Sequence, residues 1–411
     1  MPPGRARLRQ PFDVVNRAAT PIATRAIRLD APALVVAALK KSGATDLATE
    51  AISEPLEVLC RSLQYEADLH ALGRYGARTQ LVSFLTTRAR LAMLLEERPD
   101  VLDESLDDPI IIMGLPRTGT TLLQRLIACD PGIRSLPYWE ALSPLPTSDL
   151  ANHDAPIEDR RRRAAQSVRM IDRAAPDMRS IHELDPDAAD EEIWLLAVEF
   201  ASMFFESAWH VPGFAEWYDG ADLTDGYRRL RELLCALSFY RPADRWVLKS
   251  PQHLERLSEL AAVFPRATIV QTHRDPAVAV TSTASMITYG RRIGTTRVDP
   301  VQIGRYWSWR SERLVNRSAD QRDRLGTGVV DVAYSDLVAD PVGIVADVYA
   351  ASGRTLTPPA RDAMATYLAD RPQHHFGVHR YEPADFGLDA AEIRRTFSDY
   401  IDRFDVAVEA R

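Results

Sequence analysis

Residues 109–122 read PIIIMGLPRTGTTL and constrain the fold more than any other part of this 411-residue chain. The apolar run from Ile110 to Met113 predicts a buried strand, and the following TTLLQRLIA predicts the start of a helix. Between them, Gly114 and Gly119 have the spacing of the phosphate-binding loop GxxxxGK[ST], whose backbone N–H groups converge on an anion at a helix N-terminus. The segment therefore predicts an anion site between a strand and a helix.

The loop departs from the nucleoside-triphosphatase pattern at one position. Thr120 stands where a lysine would reach the β- and γ-phosphates. Arg117 supplies a positively charged fork that suits phosphate or sulfate oxygens, and the hydroxyls of Thr120 and Thr121 add donors. With Thr118 and Gly119 these residues are the candidate anion contacts, and we expect no metal ion beside them.

Strands and helices alternate after residue 100, which predicts an α/β fold with a P-loop-type, mainly parallel sheet flanked by helices. The predicted strands are 109–113, 245–249, 267–272 and 328–334. Residues 1–100 are predicted to be a helical N-terminal region, and residues 101–411 a domain with a helical insertion at about 150–240. Helices are expected near 157–174, 189–206, 222–240, 252–264 and 276–289.

Composition excludes some classes of protein. The formal net charge is −8, which argues against a nucleic-acid-binding protein, since such affinity rests on phosphate neutralisation. No apolar stretch approaches the ~20 residues needed to span a bilayer, and the basic N-terminus lacks the apolar segment of a signal peptide. Three widely spaced cysteines favour a reducing compartment. We expect a cytoplasmic protein, and the sequence leaves open whether it forms a homo-oligomer.

Lysine occurs only at positions 40, 41 and 249, which draws attention to Lys249. It ends the predicted strand in WVLKSPQH, at the edge of the sheet where open α/β folds bind ligands. A second candidate anion site lies in QTHRDPAVAVTSTASM, where Arg274 ends a strand, Asp275-Pro276 starts a helix, and Ser282 lies about two turns further on. Two anion sites on neighbouring strands suit a nucleotide with phosphate groups at both ends of its ribose.

These motifs together resemble the sulfotransferases that use 3′-phosphoadenosine 5′-phosphosulfate (PAPS), in particular the bacterial branch, whose loop is similar to that of tyrosylprotein sulfotransferases. GLPRTGTTLLQRL resembles the 5′-phosphosulfate loop with Arg117 at its basic position, and HRDP with Ser282 resembles the 3′-phosphate motif. The resemblance runs from about residue 109 to about 341. It implies transfer of a sulfuryl group from PAPS to a hydroxyl or amine, without a metal, assisted by Arg117 and Lys249.

The resemblance also implies a catalytic base near the loop that takes the proton of the acceptor. Glu140 in PYWEALSP is the first candidate, although it lies about two residues beyond the corresponding glutamate of the tyrosylprotein enzymes. The other candidates are His182, Glu183, Glu192 and His253. By the same resemblance, His379 and Arg380 are candidate contacts of the 3′-phosphate.

An aromatic segment at 190–220 predicts either ordinary core packing or an acceptor pocket with an apolar wall. We therefore expect a small or lipid-like, partly apolar acceptor. Two other functions fit the motifs. An atypical P-loop kinase would need magnesium and a lysine at position 120, and a non-catalytic nucleotide-binding or scaffold protein would bind the nucleotide without turnover.

Overall fold

A computed structural model describes residues 12–106, 108–154, 156–176, 181, 183–326, 328–371 and 381–409. Its centre is a five-stranded sheet in the order β2-β3-β1-β4-β5, with every strand pair parallel. The strands are β1 (Ile110–Gly114), β2 (Ile133–Arg134), β3 (Arg245–Lys249), β4 (Thr268–His273) and β5 (Val329–Ala333). The predicted α/β fold with a parallel sheet is confirmed. The short edge strand β2 was not predicted, because two residues carry no periodic signal.

Burial of both faces explains why β1, at the centre of the sheet, reads as a continuous apolar run. Every residue of β1 is buried, and its alternate side chains enter two different cores. Ile111 and Met113 face the larger core, whereas Ile110 and Ile112 face a smaller one. Since β1 is flanked by β3 and β4, the carboxyl ends of these three strands lie side by side.

Helices of the N-terminal region cover the larger core. They span Phe12–Ala26, Ala31–Ser42, Ser53–Tyr65 and Ala71–Glu97, with 3₁₀ turns at Thr49–Ile52 and Pro99–Asp103. Asp30 caps the second helix by accepting from the N–H of Ala33 at 3.1 Å. Gly43, with φ = 80°, ends the same helix in the left-handed conformation, which glycine adopts without steric cost.

The remaining helices surround the sheet. Those before β3 are Thr120–Ile127, Tyr138–Leu142, Glu158–Ala174, Ile193–Leu196, Phe204–Ala208, Pro212–Gly220 and Thr224–Tyr240. Those after it are Leu257–Val263, Pro276–Arg292, Pro300–Leu325, Tyr334–Ala339, Pro341–Ala351, Pro358–Asp370, Ala390–Thr396 and Ser398–Arg403. Further 3₁₀ turns span Ala197–Glu199, Pro251–Leu254 and Pro383–Phe386.

The predicted single helix at 189–206 is wrong, because the chain there forms two short helices separated by a 3₁₀ turn. Phe200 ends that turn at φ = 57°, in the left-handed region, which no helix can continue through. The helix predicted at 252–264 is likewise split, into the turn Pro251–Leu254 and the helix Leu257–Val263. The two breaks lie close together near the end of β3, because Gln252 donates to the carbonyl of Ala201 and accepts from the N–H of Met203. Among the described helices, none is long and apolar enough to cross a membrane.

Candidate active site

The loop between β1 and the helix Thr120–Ile127, called the loop helix below, has the backbone geometry of an anion cradle. Gly119 precedes the helix at φ = 94°, and a Cβ placed there would lie 2.8 Å from Leu337. A Cβ on Gly114 would lie 2.3 Å from the hydroxyl oxygen of Thr272. Gly114 is therefore required by close approach, and Gly119 by its left-handed φ. Arg117 has φ = 74°, an uncommon conformation for a residue with a side chain.

The side chain of Thr118 forms hydrogen bonds that fix the conformation of this loop. Its buried hydroxyl donates to the carbonyl of Leu115 at 2.6 Å, and it lies 2.6 Å from the hydroxyl of Thr272 on β4. Because the single proton of Thr118 is used on Leu115, the Thr272 hydroxyl is the donor in the second bond. The side chain of Thr118 thus holds the loop to the sheet, which leaves its backbone N–H for an anion. Thr120 and Thr121 occupy the first turn of the loop helix, and Thr121 is exposed.

The structure brings the two predicted anion sites together. Arg117 Nε donates to Ser282 Oγ at 3.1 Å, and Arg274 Nη1 donates to the carbonyl of Arg117 at 2.9 Å. The Arg274 guanidinium also stacks on the ring of Tyr334, 3.8 Å from its centroid. Arg117, Arg274 and Ser282, together with the loop, are called the phosphate side below.

A carboxylate of the chain itself is bound at this site. Glu409 accepts from Arg274 Nε at 2.5 Å and from Nη2 at 2.9 Å, a bidentate pairing. The backbone around Glu409 is held as well: its N–H donates to Asp275 at 3.0 Å, and its carbonyl accepts from Arg394 at 3.1 Å. Arg274 therefore presents the planar fork that matches an oxyanion.

Lys249 lies at the end of β3, opposite Ile112 of β1 in the parallel register. Its side chain is almost fully buried, and its ammonium forms an ion pair with Glu191, which remains 24% exposed. Burial raises the pKa of the Glu191 carboxyl, while the charge of Lys249 acts in the opposite direction. Glu191 is held beside the loop helix, because Gln124 of that helix donates to the carbonyl of Asp190 at 2.9 Å.

Behind Lys249 lies a fully buried polar chain. Glu192 accepts from the backbone N–H of Lys249 at 2.8 Å and pairs with His253 Nε2 at 2.6 Å. The Tyr227 hydroxyl lies 2.8 Å from His253 Nδ1. Burial raises the pKa of Tyr227 well above its ordinary value, so this group keeps its hydroxyl proton and can donate it to His253 Nδ1, while His253 Nε2 faces Glu192. His253 is enclosed and cannot meet an acceptor directly.

The structure does not place Glu140 at the loop. Its side chain is buried, with one oxygen 2.9 Å from Arg134 Nη2 and the other 3.1 Å from Arg241 Nη2. Arg241 precedes the start of β3, whereas Lys249 is at its end, so these ion pairs hold Glu140 towards the opposite edge of the sheet. The choice of Glu140 as first candidate is therefore corrected: both its oxygens are engaged in structural ion pairs.

Of the other predicted site residues, one is held by ion pairs and three lie outside the described part of the chain. Glu183 pairs with Arg125 of the loop helix at 2.6 Å and with Arg371 at 3.0 Å, which accounts for both carboxylate oxygens. His182, His379 and Arg380 lie outside the described residues. Glu191 and Glu409 were missed by the sequence reasoning. Glu191 adjoins Glu192, which was a candidate, but nothing in the sequence distinguishes the two; Glu409 is 135 residues from Arg274.

Most of the aromatic segment is core. Phe200, Phe205, Phe214 and Tyr218 are buried. Trp194 and Phe204 are instead only partly buried, and their ring centroids lie 4.4 Å apart. Trp194 follows Glu191 by three residues, and its indole N–H donates to Asp190 at 3.3 Å. These two rings, with Glu191 and Lys249, are called the acceptor side below.

A family model and curated relatives match this chain. Residues 109–358 match the model of the sulfotransferase family. The curated omega-hydroxy-beta-dihydromenaquinone-9 sulfotransferase Stf3 of Mycobacterium bovis is 26% identical over 261 residues, which are 59% of this chain and 62% of that protein. A protein with the same name from Mycobacterium tuberculosis matches equally. The chain thus spans less than two thirds of the length of these curated relatives.

Solved structures extend the likeness over nearly the whole chain. Sulfotransferase STF1 from Mycobacterium tuberculosis H37Rv superposes with a TM-score of 0.78 at 30% identity, covering 91% of this chain and 99% of STF1. STF9 from Mycobacterium avium superposes with a TM-score of 0.83 at 24% identity, covering 93% and 98%, and bears on the fold alone. Since the family model covers more than half of the chain and includes the loop, Lys249, Arg274 and Ser282, this protein belongs to the sulfotransferase family.

Proposed function

We propose that this protein transfers the sulfuryl group of PAPS to a hydroxyl, or an amine, of a partly apolar, lipid-like acceptor. The observation that carries the proposal is the phosphate side, where Arg274, Ser282 and Arg117 converge beside the loop. The bidentate pairing of Arg274 with the Glu409 carboxylate supports it, because the same pair of N–H groups can bind two oxygens of a phosphate. PAPS, when bound, supplies an activated sulfuryl group and a phosphate leaving group.

On the phosphate side, Arg274 and Ser282 would hold the 3′-phosphate, and Arg117 with the N–H groups of the loop would hold the 5′ side. Arg117 is already oriented by its hydrogen bond to Ser282. Donors fixed in this way stabilise charge that develops on oxygen during transfer without having to reorganise. The ammonium of Lys249, at the neighbouring strand end, would add positive charge at the reacting centre.

On the acceptor side, we assign the role of base to Glu191. It is partly exposed, is held next to the loop helix through Gln124, and has a raised pKa. A carboxylate with a pKa above its ordinary value is a better proton acceptor near neutral pH. Glu192 and His253 would act by positioning Lys249, because both are buried and bonded to each other.

The class of acceptor is inferred from the rings of Trp194 and Phe204 beside Glu191, and from the name of the curated relatives, which act on a hydroxylated menaquinone. Partly buried aromatic rings next to a few polar groups are typical of sites that take a largely apolar ligand. A hydroxylated prenyl lipid is therefore the acceptor to test first, with a simple phenol as the comparison.

The proposal is tested by calorimetric titration of the full chain with 3′,5′-diphosphoadenosine, in parallel with ATP and magnesium, followed by turnover of PAPS with a hydroxylated prenyl quinone. We expect the diphosphate to bind without a metal and turnover to require the acceptor. Preference for magnesium ATP would instead support the kinase. Tight binding of the diphosphate, with no turnover on prenyl, phenol or amine acceptors, would support a nucleotide-binding protein without catalysis.

A further inference from the structure

The first described helix, Phe12–Ala26, buries a polar residue and exposes three large apolar ones, unlike an ordinary surface helix. Surface helices normally bury an apolar stripe and expose polar residues. Here Asn16 is 3% exposed, whereas Val14, Val15 and Ile22 are 56%, 63% and 71% exposed. At 100° per residue, Val14, Val15, Ala18 and Ile22 lie on one outward arc, opposite Asn16. This arc is called the outward face below.

On the inward side, two polar side chains make specific contacts beside the buried Ala23. Asn16 Oδ1 accepts from the N–H of Leu72 at 2.9 Å, and Thr20 Oγ1 accepts from the N–H of Ala71 at 3.1 Å. Leu72 and Ala71 begin the long helix Ala71–Glu97, whose first N–H groups lack partners within that helix. The inward side chains of the first helix therefore cap the long one. The orientation is fixed by hydrogen bonds, which leaves the apolar side chains towards solvent.

The N-terminal sequence that contains this helix is positively charged. Residues 1–30 contain six arginines and two aspartates, a net charge of +4 in a chain whose total is −8, so the rest carries −12. Arg17 and Arg25 are exposed on the helix itself, with Arg17 paired to Asp13 at 2.8 Å. A helix with an exposed apolar arc flanked by arginine is typical of segments that lie in the interface of a membrane.

A groove beside this helix also contains arginine side chains and an exposed aromatic ring. It has a volume of about 540 Å³, and its lining includes Arg28 and Asp30, which pair with each other at 2.7 Å, and Glu57, Arg61 and Tyr65 from the helix Ser53–Tyr65. Tyr65 is 79% exposed at its edge. Tyrosine is enriched at membrane–water interfaces, and arginine pairs with lipid phosphate groups. Within this groove, Arg61 and the exposed Tyr65 therefore suit the headgroup level of a bilayer.

We propose that the outward face of helix Phe12–Ala26 docks on the surface of an anionic lipid bilayer, with Val14, Val15 and Ile22 entering the boundary of the acyl chains. Binding of this kind grows with the apolar area that is buried and with the attraction of basic residues to anionic lipid. A second copy of the chain is a less suitable partner, because a symmetric contact would bring this positively charged segment against itself.

The test is flotation of the full chain with vesicles of equal parts phosphatidylglycerol and phosphatidylcholine, and with vesicles of phosphatidylcholine alone. The parent chain should float with the anionic vesicles, and the double variant Val15→Glu/Ile22→Glu should lose at least tenfold in partition coefficient. Met170→Glu is the matched control, since Met170 is 63% exposed on another helix, and it should stay within twofold. Arg17→Gln/Arg25→Gln should weaken binding to the anionic vesicles by about 10- to 30-fold.

Three results would overturn the proposal: a parent chain that does not float with either vesicle, a Val15→Glu/Ile22→Glu variant that floats like the parent, or sedimentation showing a dimer that this variant dissolves. The last result would assign the outward face to a second copy. Melting followed by circular dichroism should show no change in the variant, since both positions are exposed. Titration with 3′,5′-diphosphoadenosine is an independent measurement, so failure of the proposed enzymatic function would leave the flotation result standing.

Discussion

The phosphate side and the acceptor side differ in what holds their residues in place. On the phosphate side, Gly114, Gly119 and Arg274 each lie where a strand ends and a helix begins, and the backbone there is determined by short sequence signals. On the acceptor side, Glu191 and Trp194 lie in a segment of short, broken helices that is fixed by contacts with distant parts of the chain, such as Gln124. Local signals thus predict the first side from the sequence, whereas on the second they predict Lys249 and the aromatic segment but not Glu191.

The largest expected effect tests the acceptor side. Glu191→Gln should lower kcat by about 10²- to 10⁴-fold, the usual contribution of a positioned base, and leave affinity for 3′,5′-diphosphoadenosine within twofold. Turnover of PAPS and calorimetry measure the two quantities. Glu183→Gln is the control, since Glu183 is engaged with Arg125 and Arg371, and it should retain kcat. Full activity of Glu191→Gln would return the role of base to the remaining candidates.

The pH profile gives a second measurement of the same assignment. A base works only when deprotonated, so kcat/KM should fall as the pH drops through the pKa of Glu191. Because burial raises that pKa above the ordinary value of 4.5, the loss should begin at a higher pH than for an ordinary glutamate. A decline with the same midpoint in Glu191→Gln would show that another group titrates.

Arg274→Ala tests the phosphate side. Loss of charged hydrogen bonds should weaken binding of 3′,5′-diphosphoadenosine by about 1.5–3 kcal/mol, roughly 10- to 150-fold, while adenosine 5′-phosphate is barely affected. Arg403→Ala is the control, since Arg403 pairs with Asp323 at 2.6 Å and not with a group of the phosphate side. Equal losses for both nucleotides would mean that Arg274 does not bind the 3′-phosphate.

Trp194→Ala should have a smaller effect, confined to the acceptor. Removing this partly buried ring from the acceptor side should raise KM for a prenyl acceptor by about five- to tenfold with little change in kcat, as expected when binding is lost equally from the ground and transition states. A phenol acceptor should show a weaker rise. Phe214→Leu, in the buried part of the segment, is the control, and an equal rise there would point to a general loss of packing.

The sheet could largely be predicted from the sequence because β1 is wholly apolar, β3, β4 and β5 each contain a short apolar or β-branched run, and each motif lies at a strand end. Glu140 shows the limit of this reasoning. Its position after the loop helix suggested a base, yet Arg134 and Arg241 hold both its oxygens, and a pairing over 101 residues with Arg241 has no local signal. The break at Phe200, which separates the two short helices after Glu191, depends on tertiary packing that helical periodicity does not reveal.

The smallest expected effect concerns Glu409, whose carboxylate pairs with the guanidinium of Arg274 and would compete there with the 3′-phosphate of a nucleotide. A pair with one partner 35% exposed is worth at most about 1 kcal/mol, so Glu409→Gln should tighten binding of 3′,5′-diphosphoadenosine by up to about fivefold and leave adenosine 5′-phosphate unchanged. The effect should vanish in an Arg274→Ala background, because the competition requires that guanidinium. Weaker binding by Glu409→Gln would instead mean that the carboxylate orients Arg274 for the nucleotide and does not compete with it.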